Sequence, residues 1–73
     1  MNHKDEPLKL LGQKIRELRK ERTLSQEEFA DRAGLDRSYI GQIERGDRNL
    51  SFSNLYKIAT AFDLTISEFL EGI

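Results

Sequence analysis

This chain of 73 residues predicts an all-α fold, a compact bundle of five helices. Three observations carry that expectation. Apolar residues recur three and four apart in two stretches, Leu8, Leu11, Ile15 and Leu18, then Leu55, Ile58, Ala59 and Phe62, as they do on one face of a helix. Ser25 stands three residues before Glu28, and Thr65 three before Glu68, a pairing in which hydroxyl and carboxylate satisfy free backbone N–H groups at a helix start. Glycine follows two short apolar stripes, at Gly34 and Gly46, where a left-handed residue closes a helix without a Cβ penalty.

Residues 1–6, MNHKDE, are polar and aperiodic and are expected to form a flexible tail, leaving 7–73 as a single domain. His3 stands alone in that tail, with no metal or catalytic partner. Pro7 suits the first helical position, where its missing N–H is no loss. A helix is predicted from about Pro7 to Arg22, with Leu8, Leu11, Ile15 and Leu18 inward and Lys14, Arg16, Lys20 and Arg22 mainly in solvent. Ser25 opens a second helix whose inner stripe is Phe29, Ala30 and Ala33; Gly34 ends it and Leu35 turns inward.

Asp36 is placed to cap a third helix, its carboxylate favoured by the positive end of the helix dipole. Ile40 and Ile43 face the second helix, and Arg37, Ser38, Tyr39, Gly41 and Gln42 are left on the outer side or its flanks. Ser51 then caps a fourth helix, with Phe52, Leu55, Ile58, Ala59 and Phe62 as its buried stripe. Asp63 and Leu64 turn the chain, and Thr65 opens a short fifth helix with Ile66, Phe69 and Leu70 apolar.

The third helix carries the chemistry. Arginine can pair with guanine O6 and N7, and glutamine with adenine, so a short helix exposing Arg37, Ser38 and Gln42 suits the edges of base pairs in a DNA major groove. Tyr39, at the flank, can serve as core with its ring and reach a phosphate with its hydroxyl.

Composition narrows the alternatives. The formal charge is −1, but residues 1–22 hold seven Lys or Arg against four acids and 37–50 hold three against two, so a modest positive face is possible. No cysteine means no disulfide framework and no thiolate metal site. With no membrane-length apolar run and no signal pattern, a cytoplasmic protein is expected. One histidine, no Gly-rich phosphate loop and no paired inward carboxylates leave no evident catalytic group, so no enzyme, cofactor, metal or small-molecule ligand is expected.

The segment from Ser25 to Gly46 resembles the helix-turn-helix of the Cro and phage-repressor family of bacterial and phage regulators, often called Xre-type. Counting from Gln26, that family has a small residue at the fifth position, glycine at the ninth and apolar residues at the fifteenth and eighteenth. Here these are Ala30, Gly34, Ile40 and Ile43. The likeness extends over roughly residues 8 to 70. Within it, DRSYIGQIERGDRNLS (Asp36 to Ser51) is similar to the small controller proteins of restriction-modification systems, a phrase that many Xre-type regulators share.

The resemblance implies helices 2 and 3 as the DNA-binding motif, base contacts from Arg37, Ser38 and Gln42, and phosphate contacts from Ser25, Gln26, Tyr39, Arg45, Arg48 and Asn49, with the Gln26 amide also bracing the recognition helix. It also implies a partly buried ion pair between Arg19 and Glu44, joining the first helix to the third. In some relatives, acids at the positions of Glu27 and Asp31 touch RNA polymerase. A chain this small is marginally stable alone, and its C-terminal segment is rich in apolar residues, so a two-fold interface is expected from Phe52, Phe62, Leu64, Ile66, Phe69 and Leu70, with Ile73 nearby. The expected function is a homodimeric, sequence-specific regulator of double-stranded DNA on a near-palindromic operator. The alternative is an antitoxin-like protein-interaction module with secondary DNA binding.

Overall fold

The structure, a computed structural model, describes residues 6–73. Along them run α1 (Glu6–Glu21), α2 (Gln26–Ala33), α3 (Arg37–Glu44), α4 (Phe52–Ala61) and α5 (Ile66–Leu70), with no strand among the described residues. Glu6 is already helical, so the tail expected over 1–6 is too long and Pro7 stands second in α1 rather than first. The remainder of that tail, His3 included, lies outside the described residues.

Both capping boxes form. Ser25 Oγ accepts from Glu28 N at 3.0 Å while Ser25 N donates to Glu28 Oε1 at 2.9 Å; Thr65 and Glu68 repeat the exchange at 3.0 and 2.8 Å. Ser51 Oγ accepts from Asn54 N at 3.1 Å and starts α4. Asp36 occupies the cap position of α3 but its side chain makes no capping hydrogen bond. The exposed carboxylate stays in water, and its contribution reduces to attraction by the helix dipole.

Four helices close with one pair of backbone bonds. Leu24 N donates to Arg19 O (2.9 Å) and Thr23 N to Lys20 O (3.0 Å); Leu35 and Gly34, Asp47 and Gly46, and Leu64 and Asp63 do the same at the ends of α2, α3 and α4. This closure requires a left-handed residue. Gly34 and Gly46 supply it at φ 71° and 79°, as their positions in the sequence suggest, whereas Thr23 and Asp63 adopt φ 56° and 58° despite carrying a Cβ. Three of the four turns return the chain toward the core, burying Leu24 and half-burying Leu35 and Leu64, while Asp47 after α3 stays exposed.

The core holds Leu11, Ile15, Phe29, Ile40, Ile43, Ile58, Phe62 and Phe69. Phe29 of α2 stacks on Phe62 with centroids 4.2 Å apart and planes at 17°, and Phe62 lies 6.2 Å from Phe69 of α5. That column overturns two interface expectations: Phe62 and Phe69 are 1% and 0% exposed, consumed in joining α2, α4 and α5 within one chain. Phe52 departs in the opposite sense. Expected in the buried stripe of α4, it is 71% exposed, because it lies at the stripe's edge in the first turn of the helix.

Gly12 lets α1 approach the last turn of α3. A Cβ there would collide with the Ile43 carbonyl oxygen and sit 2.6 Å from that of Glu44. The basic residues of α1 are less idle than expected: Lys14 Nζ donates to Glu71 O at 2.6 Å, and Arg22 donates to Phe62 O at 3.1 Å with its guanidinium 5.1 Å above the Phe62 ring.

Candidate nucleic-acid interface

The inner side of α3 is anchored by Ile40 and Ile43, both fully buried, and by a buried carboxylate, Glu44. A charge out of water must be paired and hydrogen-bonded. Arg19 Nε and Nη2 donate to Glu44 Oε2 and Oε1 at 2.8 and 3.1 Å, Gln26 Nε2 to Oε1 at 3.1 Å and Arg16 Nε to Oε1 at 3.4 Å. Arg19 Nη1 also donates to Leu24 O at 2.8 Å, tying the α1–α2 turn into the same network.

Burial pushes the Glu44 carboxyl up, but the hydrogen bonds from Arg19 and Gln26, the Arg19 charge and the bond from Arg16 outweigh it and hold the group below the usual glutamate value. The Glu44 hydrogen bond raises the Arg19 guanidinium in turn, against the cost of burial. Among the described residues, every buried side-chain polar atom has a partner.

On the other side of α3, Arg37 and Ser38 are exposed and Gln42 half-buried. Two of these side chains are held from outside the helix. Arg37 Nη1 donates to Gln26 Oε1 at 3.3 Å, and Gln42 Oε1 accepts from Arg48 Nη1 at 3.2 Å. The Arg48 guanidinium also lies 5.1 Å over the Tyr39 ring, and the Tyr39 hydroxyl accepts from Asn54 Nδ2 at 2.9 Å. Tyr39 is half-buried, its ring packed against the core, and its own hydroxyl hydrogen is left to donate. Arg45 is exposed and bonded to Asp47 at 3.1 Å, Asn49 and Ser25 are exposed, and Gly41 is buried beneath the Gln26 amide and the Arg45 guanidinium.

A polar hollow of about 760 Å³ borders this edge, lined by Ser38, Tyr39, Gln42, Arg48 and Asn54 but also by Asp31 and Asp36. The two acids keep its positive character modest. Asn54 has no counterpart in the sequence reading, since nothing local links it to Tyr39, fifteen residues earlier.

A second surface lies on α4 and α5. Phe52 and Tyr56 are 71% and 58% exposed, one turn apart, beside half-buried Leu64 and Ile66 along a groove of about 590 Å³. Tyr56 was legible: it falls four residues after Phe52, on the same helical face. Leu70 is half-buried, and Ile73 is 43% exposed near Leu10 at the far end of α1.

Comparison with known proteins matches this geometry. A helix-turn-helix family model, HTH_3, covers residues 15–69. The control protein C.MunI of Mycoplasma sp is 49% identical over 63 residues, which cover 85% of this chain and 85% of that protein. The crystal structure of the restriction-modification controller protein C.AhdI from Aeromonas hydrophila superposes with a TM-score of 0.81 at 52% identity, over 85% of this chain and 94% of that one. SinR, a master regulator for biofilm formation crystallised in complex with DNA, superposes with a TM-score of 0.77 at 35% identity, over 84% and 98% of the two chains. With its motif in α2 and α3 and a family match over more than half its length, the chain belongs to the helix-turn-helix family that includes restriction-modification controllers and transcriptional regulators.

Proposed function

We propose that this chain is a sequence-specific double-stranded DNA-binding regulator that acts as a homodimer in the cytoplasm, of the kind that controls a restriction-modification operon. One observation carries the reading: Arg37, Ser38 and Gln42 lie on the accessible side of a helix whose opposite side is fixed in the core by Ile40, Ile43 and Glu44. That helix enters the major groove, with Arg37, Ser38 and Gln42 toward bases. Ser25, Tyr39, Arg45, Arg48 and Asn49 set register through phosphates. Phe52, Tyr56, Leu64, Ile66 and Leu70 form the two-fold contact, so the operator is near-palindromic with half-sites one helical turn or a multiple apart. Glu27 and Asp31, both exposed on α2, are the surface for a polymerase contact.

Selection of bound duplexes from a random pool at stated salt tests the proposal, and a symmetric motif is the expected result. Arg37→Ala then costs about 1–3 kcal/mol on the selected site and relaxes one position. Unchanged affinity of R37A for selected and scrambled duplexes would remove Arg37 from the base-reading set; a pool that yields no motif would remove the regulator reading altogether.

A further inference from the structure

Gln42 is held at one end of its amide and open at the other. Arg48 Nη1 lies 3.2 Å from Gln42 Oε1, and because a guanidinium only donates hydrogen bonds, the amide turns its oxygen toward Arg48. Among the described residues nothing accepts from Nε2, and no buried polar side-chain atom lacks a partner, so its two N–H groups are open to solvent. Arg48 reaches Gln42 from the loop between α3 and α4, and it does not swing freely. Its guanidinium lies 5.1 Å over the Tyr39 ring, which is packed against the core and whose hydroxyl accepts from Asn54 Nδ2 at 2.9 Å. Asn54 is fixed in turn, its backbone N donating to Ser51 Oγ at the start of α4.

We infer that Arg48 is a positioning residue for Gln42, holding its oxygen so that Gln42 offers donors to the operator and reads guanine rather than adenine. This rests on Gln42 reading a base, as proposed above. Pairing with adenine uses both ends of a glutamine amide, Nε2 donating to N7 and Oε1 accepting from the N6 amino group. Oε1 keeps a second lone pair, so crowding alone does not exclude adenine; charge decides. The amino group of adenine would bring its positive edge to an oxygen where a guanidinium already sits, and the two repel. Guanine presents two acceptors in the major groove, N7 and O6, and no donor, so Nε2 can donate to it while the Arg48 charge adds attraction. Thymine, with one acceptor beside a methyl group, is a poorer match. Phosphate contact by Arg48 is not displaced, because the other N–H groups of its guanidinium stay available.

The experiment repeats the selection from a random pool with wild type and Gln42→Ala. The position that relaxes in Gln42→Ala is the one Gln42 reads, and wild type is expected to require guanine there. Affinities of wild type and Arg48→Met are then measured by fluorescence anisotropy, at one salt concentration, for that operator and for the same duplex with adenine in place of the guanine. Wild type should favour guanine about tenfold. Methionine keeps an unbranched side chain over the Tyr39 ring and removes the charge and the donors, so the preference of Arg48→Met should fall to about twofold or reverse. Loss of a phosphate contact weakens both duplexes alike and cancels in the ratio, so an unchanged ratio in Arg48→Met overturns the inference. Adenine, thymine or cytosine at the Gln42 position in wild type overturns it too, as does a Gln42→Ala variant that relaxes no position. In each of these cases a symmetric wild-type motif leaves the regulator reading standing, whereas a pool that yields no motif overturns both. Arg48 is exposed on a loop, so Arg48→Met is expected to melt near wild type; should it not fold, Arg48→Ala carries the same comparison.

Discussion

The α3 surface and the α4–α5 surface both offer side chains to a partner, and they are built in opposite ways. Around α3 the offered groups are polar and already restrained: Arg37 by Gln26, Gln42 by Arg48, Tyr39 by Asn54. Around α4 and α5 they are apolar and unrestrained, with Phe52 and Tyr56 standing in solvent above a core that is complete without them. The first surface thus shares its supports with the folded interior. The second can be altered without touching the core, so stability and recognition are coupled at one site and separable at the other.

Glu44→Ala breaks the comparison hardest. Removing the carboxylate strands Arg19 at 12% side-chain exposure and releases Gln26 as well. Loss of one partner of a buried pair costs about 3–5 kcal/mol, a large share of the roughly 5–15 kcal/mol that holds a native domain together. A thermal melt followed by circular dichroism should show the variant largely unfolded at temperatures where wild type is intact. A midpoint within a degree or two of wild type would mean that the network contributes little to stability.

The matching change on the other surface is Phe52→Ser with Tyr56→Ser. Both side chains are exposed in the single chain, so the helical signal should persist while self-association weakens by about thirtyfold or more, the usual consequence of truncating two aromatic anchors. Analytical ultracentrifugation over a concentration series measures it. An unchanged dimer would place the two-fold contact elsewhere; a collapse of helicity would show that these residues serve the fold.

This contrast also explains what could be read in advance. Helix positions follow from local signals: the hydroxyls of Ser25, Ser51 and Thr65 and the glycines at 34 and 46 act within one turn of themselves. Partition of the aromatic residues does not. Phe52, Phe62 and Phe69 look alike in sequence, yet two complete a stack with Phe29 and one is left outside, a matter of how three helices meet. Gly12 was equally silent, since only the crossing of α1 over α3 gives it a role. The hydrogen bonds of Gln26 and Gln42 link residues eleven and six positions or more apart, beyond any local pattern.

Acid sharpens the comparison with a smaller effect. Glu44 at the end of α3, and Glu28 and Glu68 in the capping boxes, are all held below the ordinary glutamate value, the cap residues chiefly by the backbone N–H of Ser25 and Thr65. The unfolded chain therefore takes up protons at a higher pH than the folded one, and stability rises with pH through that window. Melting temperature should stay level from neutral pH down toward the ordinary glutamate range and fall below it. Glu44→Gln should lower the plateau and flatten the fall, whereas Glu68→Gln should flatten it only slightly. A melting temperature that rises on acidification would contradict the ionised, hydrogen-bonded carboxylates described here.

The smallest effect concerns the turn that leads into the α3 network. Thr23 closes α1 at φ 56°, a left-handed conformation that a β-branched side chain tolerates poorly; Asp63 closes α4 at φ 58° with a side chain better suited to it. Thr23→Asn should relieve strain of about 0.5–1 kcal/mol, raising the melting midpoint by a few degrees, while Asp63→Asn should barely move it. Thr23 is followed by Leu24, whose carbonyl accepts from Arg19, so the gain falls on the α1–α2 turn that supports Glu44. The groups proposed to face DNA are untouched, and specificity should therefore be retained. Equal stabilisation at both turns would show that the side-chain type is not what separates them, and a loss of operator discrimination in Thr23→Asn would show that the strained turn itself helps to set the pose of α3.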